Sequence, residues 1–275
     1  MKKTILITGC SSGIGYDAAI TLMQMDWRVF ASCRTQDDCD RLGVEGFETV
    51  LLDYEQPATI HAAVEKVIKA TGGSLNALFN NGAYAIPGAV EDVPTPALRQ
   101  IFEANFFGWH DLTIKVIPIM RAQGHGRIIN CSSVLGFMPM RWRGAYIATK
   151  HALEGLTGTL RIELADSPID IILIEPGPID TLIRKNARKG FEKWIDWKSS
   201  AHVEKYKVLI DRLCAENVKR DRFELPASAV TKKLVHALDA KNPKSHYMVT
   251  LPTYFAAVVK RFLPQIIINK IQEKS

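Results

Sequence analysis

Short β-rich runs recur along this 275-residue chain with helix-periodic segments between them, and that alternation restricts the fold more than any other feature. The runs are residues 4–8, 27–32, 47–52, 75–79, 126–131 and 169–174, with helical patterns such as 58–70 in between. Strands that alternate with helices pair in parallel and carry helices on both faces of their sheet. The run 169–174, apolar except for Asp170, has the composition of a strand covered on both sides. The expected architecture is α/β, a doubly wound parallel sheet with right-handed crossovers. No linker, charge block or repeat divides the chain, so residues 1–275 read as a single domain.

Composition excludes several classes of function. Two lysines precede the apolar residues 5–7, but that run is far shorter than the hydrophobic stretch of a signal peptide, and a first strand fits better. No stretch approaches the ~18 consecutive apolar residues of a membrane-spanning helix. The five cysteines are odd in number and form no CxxC pair, which argues against a disulfide framework and a zinc site. Reduced thiols in a cytoplasmic protein are expected. Of the net charge of +6, residues 241–275 carry six lysines and arginines against Glu273, that is 6 − 1 = +5. That clustering lacks interleaved aromatics along a stripe, so no nucleic-acid partner is expected. The histidines have no metal-ligand spacing, and no metal is expected.

The first run ends in Thr8-Gly9-Cys10-Ser11-Ser12-Gly13-Ile14-Gly15, and a helical pattern follows. Glycines allow the sharp turn and the close approach of a pyrophosphate, and a helix N-terminus offers free N–H groups to it. This strand–turn–helix context makes residues 9 and 11–15 candidates for nucleotide binding. At the end of the second run, about 20 residues beyond the glycine turn, stands Arg34 instead of the acid that would take a ribose 2′-OH. A guanidinium pairs with a 2′-phosphate where an acid would repel it. Farther along, Tyr146 and Lys150 stand at i and i+4 of a helical pattern, on one face, where a phenol and an ammonium address the same ligand. A reductase must protonate a carbonyl oxygen as hydride reaches carbon, and a neighbouring cation eases proton loss from tyrosine.

The G-x-x-x-G-x-G turn, the Y-x-x-x-K pair, Asn80-Asn81-Gly82-Ala83, Ser132-Ser133 and Pro176-Gly177-Pro178-Ile179-Asp180-Thr181 together resemble the short-chain dehydrogenase/reductase family, in order, over residues 4–181. The resemblance implies a Rossmann-like fold, an NADP(H) cofactor, and hydride transfer between a small-molecule carbonyl and an alcohol. It implies catalytic roles for Asn105, Ser133, Tyr146 and Lys150. It implies cofactor contacts for Gly9, Ser11, Ser12, Gly13, Ile14, Gly15, Arg34, Asp53, Asn81, Tyr146, Lys150, Pro176, Gly177 and Thr181. Asp53 also reads as a helix cap. In the Asn80–Ala83 turn the glycine comes one residue early, so a positive φ would fall on Ala83. Bacterial NADP-dependent aldehyde reductases and hydroxysteroid or retinol dehydrogenases are the most similar branches, and a homo-oligomer is the family habit. A catalytically silent NADP(H) sensor on the same fold is the alternative; the complete catalytic set weighs against it.

On the substrate side, Leu135, Phe137, Met138, Met140 and Trp142 are candidate pocket walls, and few polar groups accompany them. An apolar aldehyde or ketone is expected. Residues 182–223, with Phe191, Trp194, Trp197 and Tyr206, read either as a helical lid or as plain core packing. Residues 252–275 read as a helical extension kinked at Pro264, lying on the same chain, on a partner subunit, or in a membrane interface.

Overall fold

The computed structural model describes residues 2–214 and 222–273; the parts of the expected lid at 215–221 and of the extension at 274–275 lie outside the described residues. In chain order the elements are β1 (Thr4–Ile7), α1 (Gly13–Gln24), β2 (Arg28–Cys33), α2 (Gln36–Val44), β3 (Glu48–Leu51), α3 (Pro57–Thr71) and β4 (Ala77–Asn80). Then come α4 (Thr95–Phe102), α5 (Gly108–Gln123), β5 (Gly126–Cys131), α6 (Gly144–Glu163), β6 (Ile169–Glu175), β7 (Ile179–Asp180) and α7 (Ile183–Trp194). The chain continues through α8 (Val203–Cys214), β8 (Leu225–Pro226), α9 (Ser228–Asp239), β9 (His246–Met248), α10 (Leu251–Phe262) and α11 (Gln265–Glu273).

Among the described residues, seven strands form one sheet in the order β3-β2-β1-β4-β5-β6-β9, every neighbouring pair parallel. This is the expected doubly wound fold. The order reverses between β1 and β4, which opens a crevice at the carboxyl ends of those strands, where such sheets take their ligands. All six expected strands form within a few residues of their predicted bounds. The main shift is at the fourth, which starts at Ala77 because the Leu75 backbone is held at both ends by the Gln123 side chain. β9 has no counterpart in the sequence reading, since three residues without an apolar run leave no period to detect. The short pair β7–β8 is likewise made by contact over a long chain distance.

Local chemistry explains the bounds. α3 begins on Pro57 at its first turn, where the missing N–H costs nothing, and ends on Gly72 in the left-handed region at φ 68°. β1 and β4 are buried along their whole length, as an interior parallel pair requires. Beneath the crevice runs a buried polar ladder. Asn80 Nδ2 donates to Asn130 Oδ1 at 2.9 Å, Asn130 Nδ2 donates to Thr157 Oγ1 at 3.0 Å, and Tyr54 OH donates to Asn80 Oδ1 at 2.9 Å. Asn80 and Asn130 are register partners, so this ladder specifies the β4–β5 alignment from which the site is built.

Candidate active site

The glycine turn is shaped by close backbone approach. Gly9 takes φ +69° and Gly13 takes φ +59°, a region other residues enter only at a cost. A Cβ on Gly9 would lie 2.7 Å from the Gly82 Cα, and one on Gly15 would lie 2.3 Å from the Gly9 carbonyl oxygen. Asn81 closes the turn from the other side, its backbone N–H donating to Thr8 Oγ1 (2.8 Å) and its Nδ2 to the Thr8 carbonyl (3.0 Å). At the start of α1 no side chain caps the helix and its first turn holds no acidic residue. Its free N–H groups therefore face the cavity lined by Gly9, Ser11, Ser12, Gly13 and Ile14, with the polarity an anion needs. These residues fit a dinucleotide pyrophosphate. Gly15 is buried just below the cavity and makes the tight packing possible. The positive φ expected at Ala83 is not found; neither Ala83 nor Gly82 takes one.

Arg34 and Asp53 line the far end of the same cavity. Arg34 is exposed and makes no ion pair among the described residues, so its guanidinium is open to a phosphate. Asp53 accepts from the Glu55 N–H at 3.1 Å and from Gln56 Nε2 at 3.3 Å, so it shapes the turn before α3 as well as facing the cavity. Sequence reasoning missed Arg41, which donates to the Ser11 carbonyl at 2.8 Å while held by Asp38 and Glu45. Its position on α2, one more basic residue after Arg34, was the available signal.

Ser133, Tyr146 and Lys150 meet on one wall of the cavity. Ser133 stands just past β5; its Oγ accepts from the Leu135 N–H at 3.1 Å and donates weakly to the Pro176 carbonyl at 3.4 Å. Tyr146 and Lys150 lie one turn apart on α6. Lys150 is buried, its Nζ donating to the Cys131 carbonyl at 2.8 Å and standing 4.2 Å over the Trp109 ring and 5.7 Å from the Tyr146 ring. Trp109 was invisible to motif reasoning, yet it supplies the floor on which the ammonium rests.

Burial lowers Lys150 to about 8, partly offset by Cys131 and Glu154. Tyr146 moves well above its ordinary value, again through burial, while Ser133 and Arg143 pull it down. The sequence argument had the lysine easing proton loss from the phenol; here burial outweighs every charge around the ring. A phenol that stays protonated is the form a proton donor requires. Asn105 sits in a π-helical turn (Glu103–Phe107) between α4 and α5 and is fully buried. Its side chain brackets the Tyr84 backbone, accepting from the N–H at 3.1 Å and donating to the carbonyl at 2.8 Å, and does not reach the cavity wall. Pro176, Gly177 and Thr181 line the cavity opposite the glycine turn, the Thr181 Cβ lying 3.2 Å from where a Cβ on Gly13 would be.

Behind this wall lies a corner the sequence did not announce. Glu154, Glu175 and His246 bring one ligand-type atom each within 4.8 Å of one another. His246 Nδ1 is 3.1 Å from Glu175 Oε1, Ser132 Oγ faces the Glu154 carboxyl, and Glu175 Oε2 is buried without a hydrogen-bond partner among the described residues. Arg161 Nη1 stands 3.5 Å from His246 Nε2 and would oppose a metal cation, so shared protons satisfy these oxygens better.

The whole cavity has a volume of about 810 Å³, within the usual range for a ligand site. Leu135, Met138 and Met140 line it as expected, but Phe137 and Trp142 do not. Trp142 packs on Tyr206 with ring centroids 4.9 Å apart, and Phe137 packs with Met138, Val259 and Ile268. Of the four lid aromatics only Trp194 reaches the cavity; Phe191 and Tyr206 are core, and Tyr206 OH is fixed to Asp92 Oδ2 at 2.7 Å. The expectation of few polar walls fails: Arg143, Arg184, Lys189 and Lys193 all line this end.

The chain matches the family model described as short chain dehydrogenase over residues 3–191. It is 39% identical to "Uncharacterized oxidoreductase YbbO" of Escherichia coli (strain K12), covering 98% of this chain and 94% of that protein. It is 30% identical to the "NADPH-dependent 3-dehydrocapnine reductase" of Ornithobacterium rhinotracheale, covering 97% and 94%. A short-chain dehydrogenase structure from Streptomyces avermitilis superposes with a TM-score of 0.80 at 23% identity, over 99% of this chain and 97% of that one, which supports the fold. Sheet order, glycine turn and family match agree, and this chain belongs to the short-chain dehydrogenase family of oxidoreductases.

Proposed function

We propose that the protein is an NADP(H)-dependent reductase that interconverts an aldehyde or ketone having an apolar body and the corresponding alcohol. The observation that carries this reading is the convergence of Ser133, Tyr146 and Lys150 on one wall of a cavity whose other end is the glycine turn and Arg34. The glycine turn and the uncapped start of α1 would hold the pyrophosphate, Arg34 the 2′-phosphate, and Pro176, Gly177 and Thr181 the nicotinamide end. When bound, the nicotinamide supplies the hydride. Ser133 holds the substrate oxygen, Tyr146 OH donates a proton to it as negative charge develops, and Lys150 keeps a positive charge beside the phenol. Asn105 acts at one remove, by fixing the backbone of Tyr84 on the cavity rim.

The free thiols, four of them buried, support a cytoplasmic location. The exposed Leu98, Phe107 and Ile114 on and between α4 and α5 support self-association into a homo-oligomer. No helix among the described residues is long and apolar enough to cross a membrane. Along α10, however, Leu251, Phe255, Val258 and Phe262 form a stripe at helical spacing, each 57–73% exposed. Lys260, Arg261 and Lys270 flank it, which fits peripheral contact with an acidic lipid surface.

The test follows NADPH and NADH oxidation with a panel of aldehydes and ketones. Turnover with NADPH that drops roughly 100- to 10,000-fold in Tyr146→Phe, with NADPH binding retained, supports the reading. Unchanged turnover in Tyr146→Phe refutes the acid role. NADPH binding without any turnover favours the silent sensor.

A further inference from the structure

We propose that the substrate carries an anionic head group, a carboxylate, sulfonate or phosphate, that Arg143 and Arg184 grip while its apolar body lies toward α10 and α11. This deepens the reductase reading and rests on it for the position of the carbonyl. Arg143 stands three residues before Tyr146, at the entry to α6, and lines the cavity. Its Nη1 is buried and has no hydrogen-bond partner among the described residues. The backbone that presents it is under strain, because Trp142 is held at φ +63°. It is also pinned, since the Gly88 N–H donates to the Trp142 carbonyl at 3.0 Å.

Arg184, near the start of α7, faces Arg143 closely enough that the two guanidiniums repel, and burial with that repulsion lowers the proton affinity of Arg143. Glu224 answers Arg184 at 3.2 Å, and Gln100 holds Lys193 at 2.8 Å, but among the described residues no acidic side chain lines the cavity beside Arg143. Of the acidic lining residues, Asp38 and Asp53 belong with Arg34, and Glu55 meets Lys193 only through Gln100, whose Nε2 donates to Glu55 Oε2 at 2.7 Å. Arg143 with its buried unpaired N–H, Arg184 beside it, and Lys189 and Lys193 on the same cavity form a cradle that an anion would complete. A guanidinium fork matches the paired oxygens of such a group. Beyond it, Met138, Phe255, Ala256, Val259 and Ile268 continue the wall in apolar side chains. A head group at the arginines and a chain along α10 therefore describe an amphiphile, not a neutral hydrocarbon carbonyl.

The experiment compares medium-chain aldehydes of equal length with and without a terminal carboxylate as substrates for the full-length protein with NADPH. Charge-assisted hydrogen bonds of this kind predict a kcat/KM preference for the carboxylate on the order of tenfold or more, weakening with salt. Arg143→Gln should bring that ratio close to unity, and Arg143→Lys should restore part of it. In parallel, calorimetry reads decanoate binding to the NADPH-loaded protein, which should weaken in Arg143→Gln on the order of 10- to 100-fold. Equal kcat/KM for both wild-type substrates overturns the proposal, as does a raised NADPH Kd in Arg143→Gln, which would assign the arginine to the cofactor. If neither aldehyde turns over, the reductase reading fails while decanoate binding still decides the anion site. Should Arg143→Gln not fold, Arg184→Gln and the salt dependence of decanoate binding carry the decision in the same directions.

Discussion

Glu154 sits one helical turn beyond Lys150 and shares a half-buried corner with Glu175, Ser132 and His246. Burial is the main cause that pushes its carboxyl up to about 7 from an ordinary 4.5; Glu175 adds repulsion, while Ser132, His246 and Lys150 pull the other way. Between those two values the folded chain keeps a proton that the unfolded chain has lost. Stability therefore falls as pH rises through this window, and the cost is complete above about 7. At about 1.4 kcal/mol per tenfold change in proton affinity, the cost is about 1.4 kcal/mol at roughly pH 5.5 and about 3 kcal/mol at roughly pH 8. Glu154→Gln has no proton to lose and is nearly the same shape. Relative to wild type, it should gain roughly 2 kcal/mol between those pH values, or ~5 °C in Tm for a chain of this size. Thermal unfolding followed by circular dichroism at both pH values reads this directly. A Tm offset between variant and wild type that is the same at both would refute a raised Glu154. The same substitution removes a charge that favours protonated Lys150, so the alkaline limb of the activity profile should move to lower pH.

Other consequences are checked more simply. With Lys150 lowered to about 8 in the free protein, kcat/KM for carbonyl reduction should fall as pH rises through that value; a profile flat through it contradicts a charged lysine in the reaction. Arg34→Ala should raise the Kd for NADPH on the order of tenfold and leave that for NADH nearly unchanged, measured by nicotinamide fluorescence, whereas equal effects on both would remove Arg34 as the phosphate reader. Replacing the exposed Leu251, Val258 and Phe262 with serine should abolish flotation on vesicles containing anionic lipid without lowering Tm, since none of the three is core. Vesicle binding that survives the triple change, or a dimer that dissociates because of it, would show that protein covers this stripe.

The parts of the molecule that were legible in the sequence are those whose physics is local. Six strands announce themselves as apolar runs, and the glycine turn does so because strand, turn and helix are contiguous and Gly15 packs on the Gly9 carbonyl six residues before it. Tyr146 and Lys150 are one turn apart on a single helix, so their meeting needs no tertiary information. β9 was missed because its three residues become a strand only against β6. Trp109 was missed because its place under Lys150 depends on how α5 packs on α6.

The substrate end shows why the remainder had to come from the structure. From the sequence, the aromatics around Tyr146 made an apolar pocket, yet Trp142, Phe191 and Tyr206 pack on one another and leave the cavity. Arg143, next to Trp142 in the chain, lines it instead. Its partners in lining that wall arrive from α7, about 40 residues on, and the apolar continuation from α10 and α11 lies more than 100 residues on. A cofactor turn is written in one stretch because one strand and one helix make it. Substrate preference is written in four distant segments, so Arg143, Arg184, Phe255 and Ile268 acquire a joint meaning only once the fold has placed them around the same cavity.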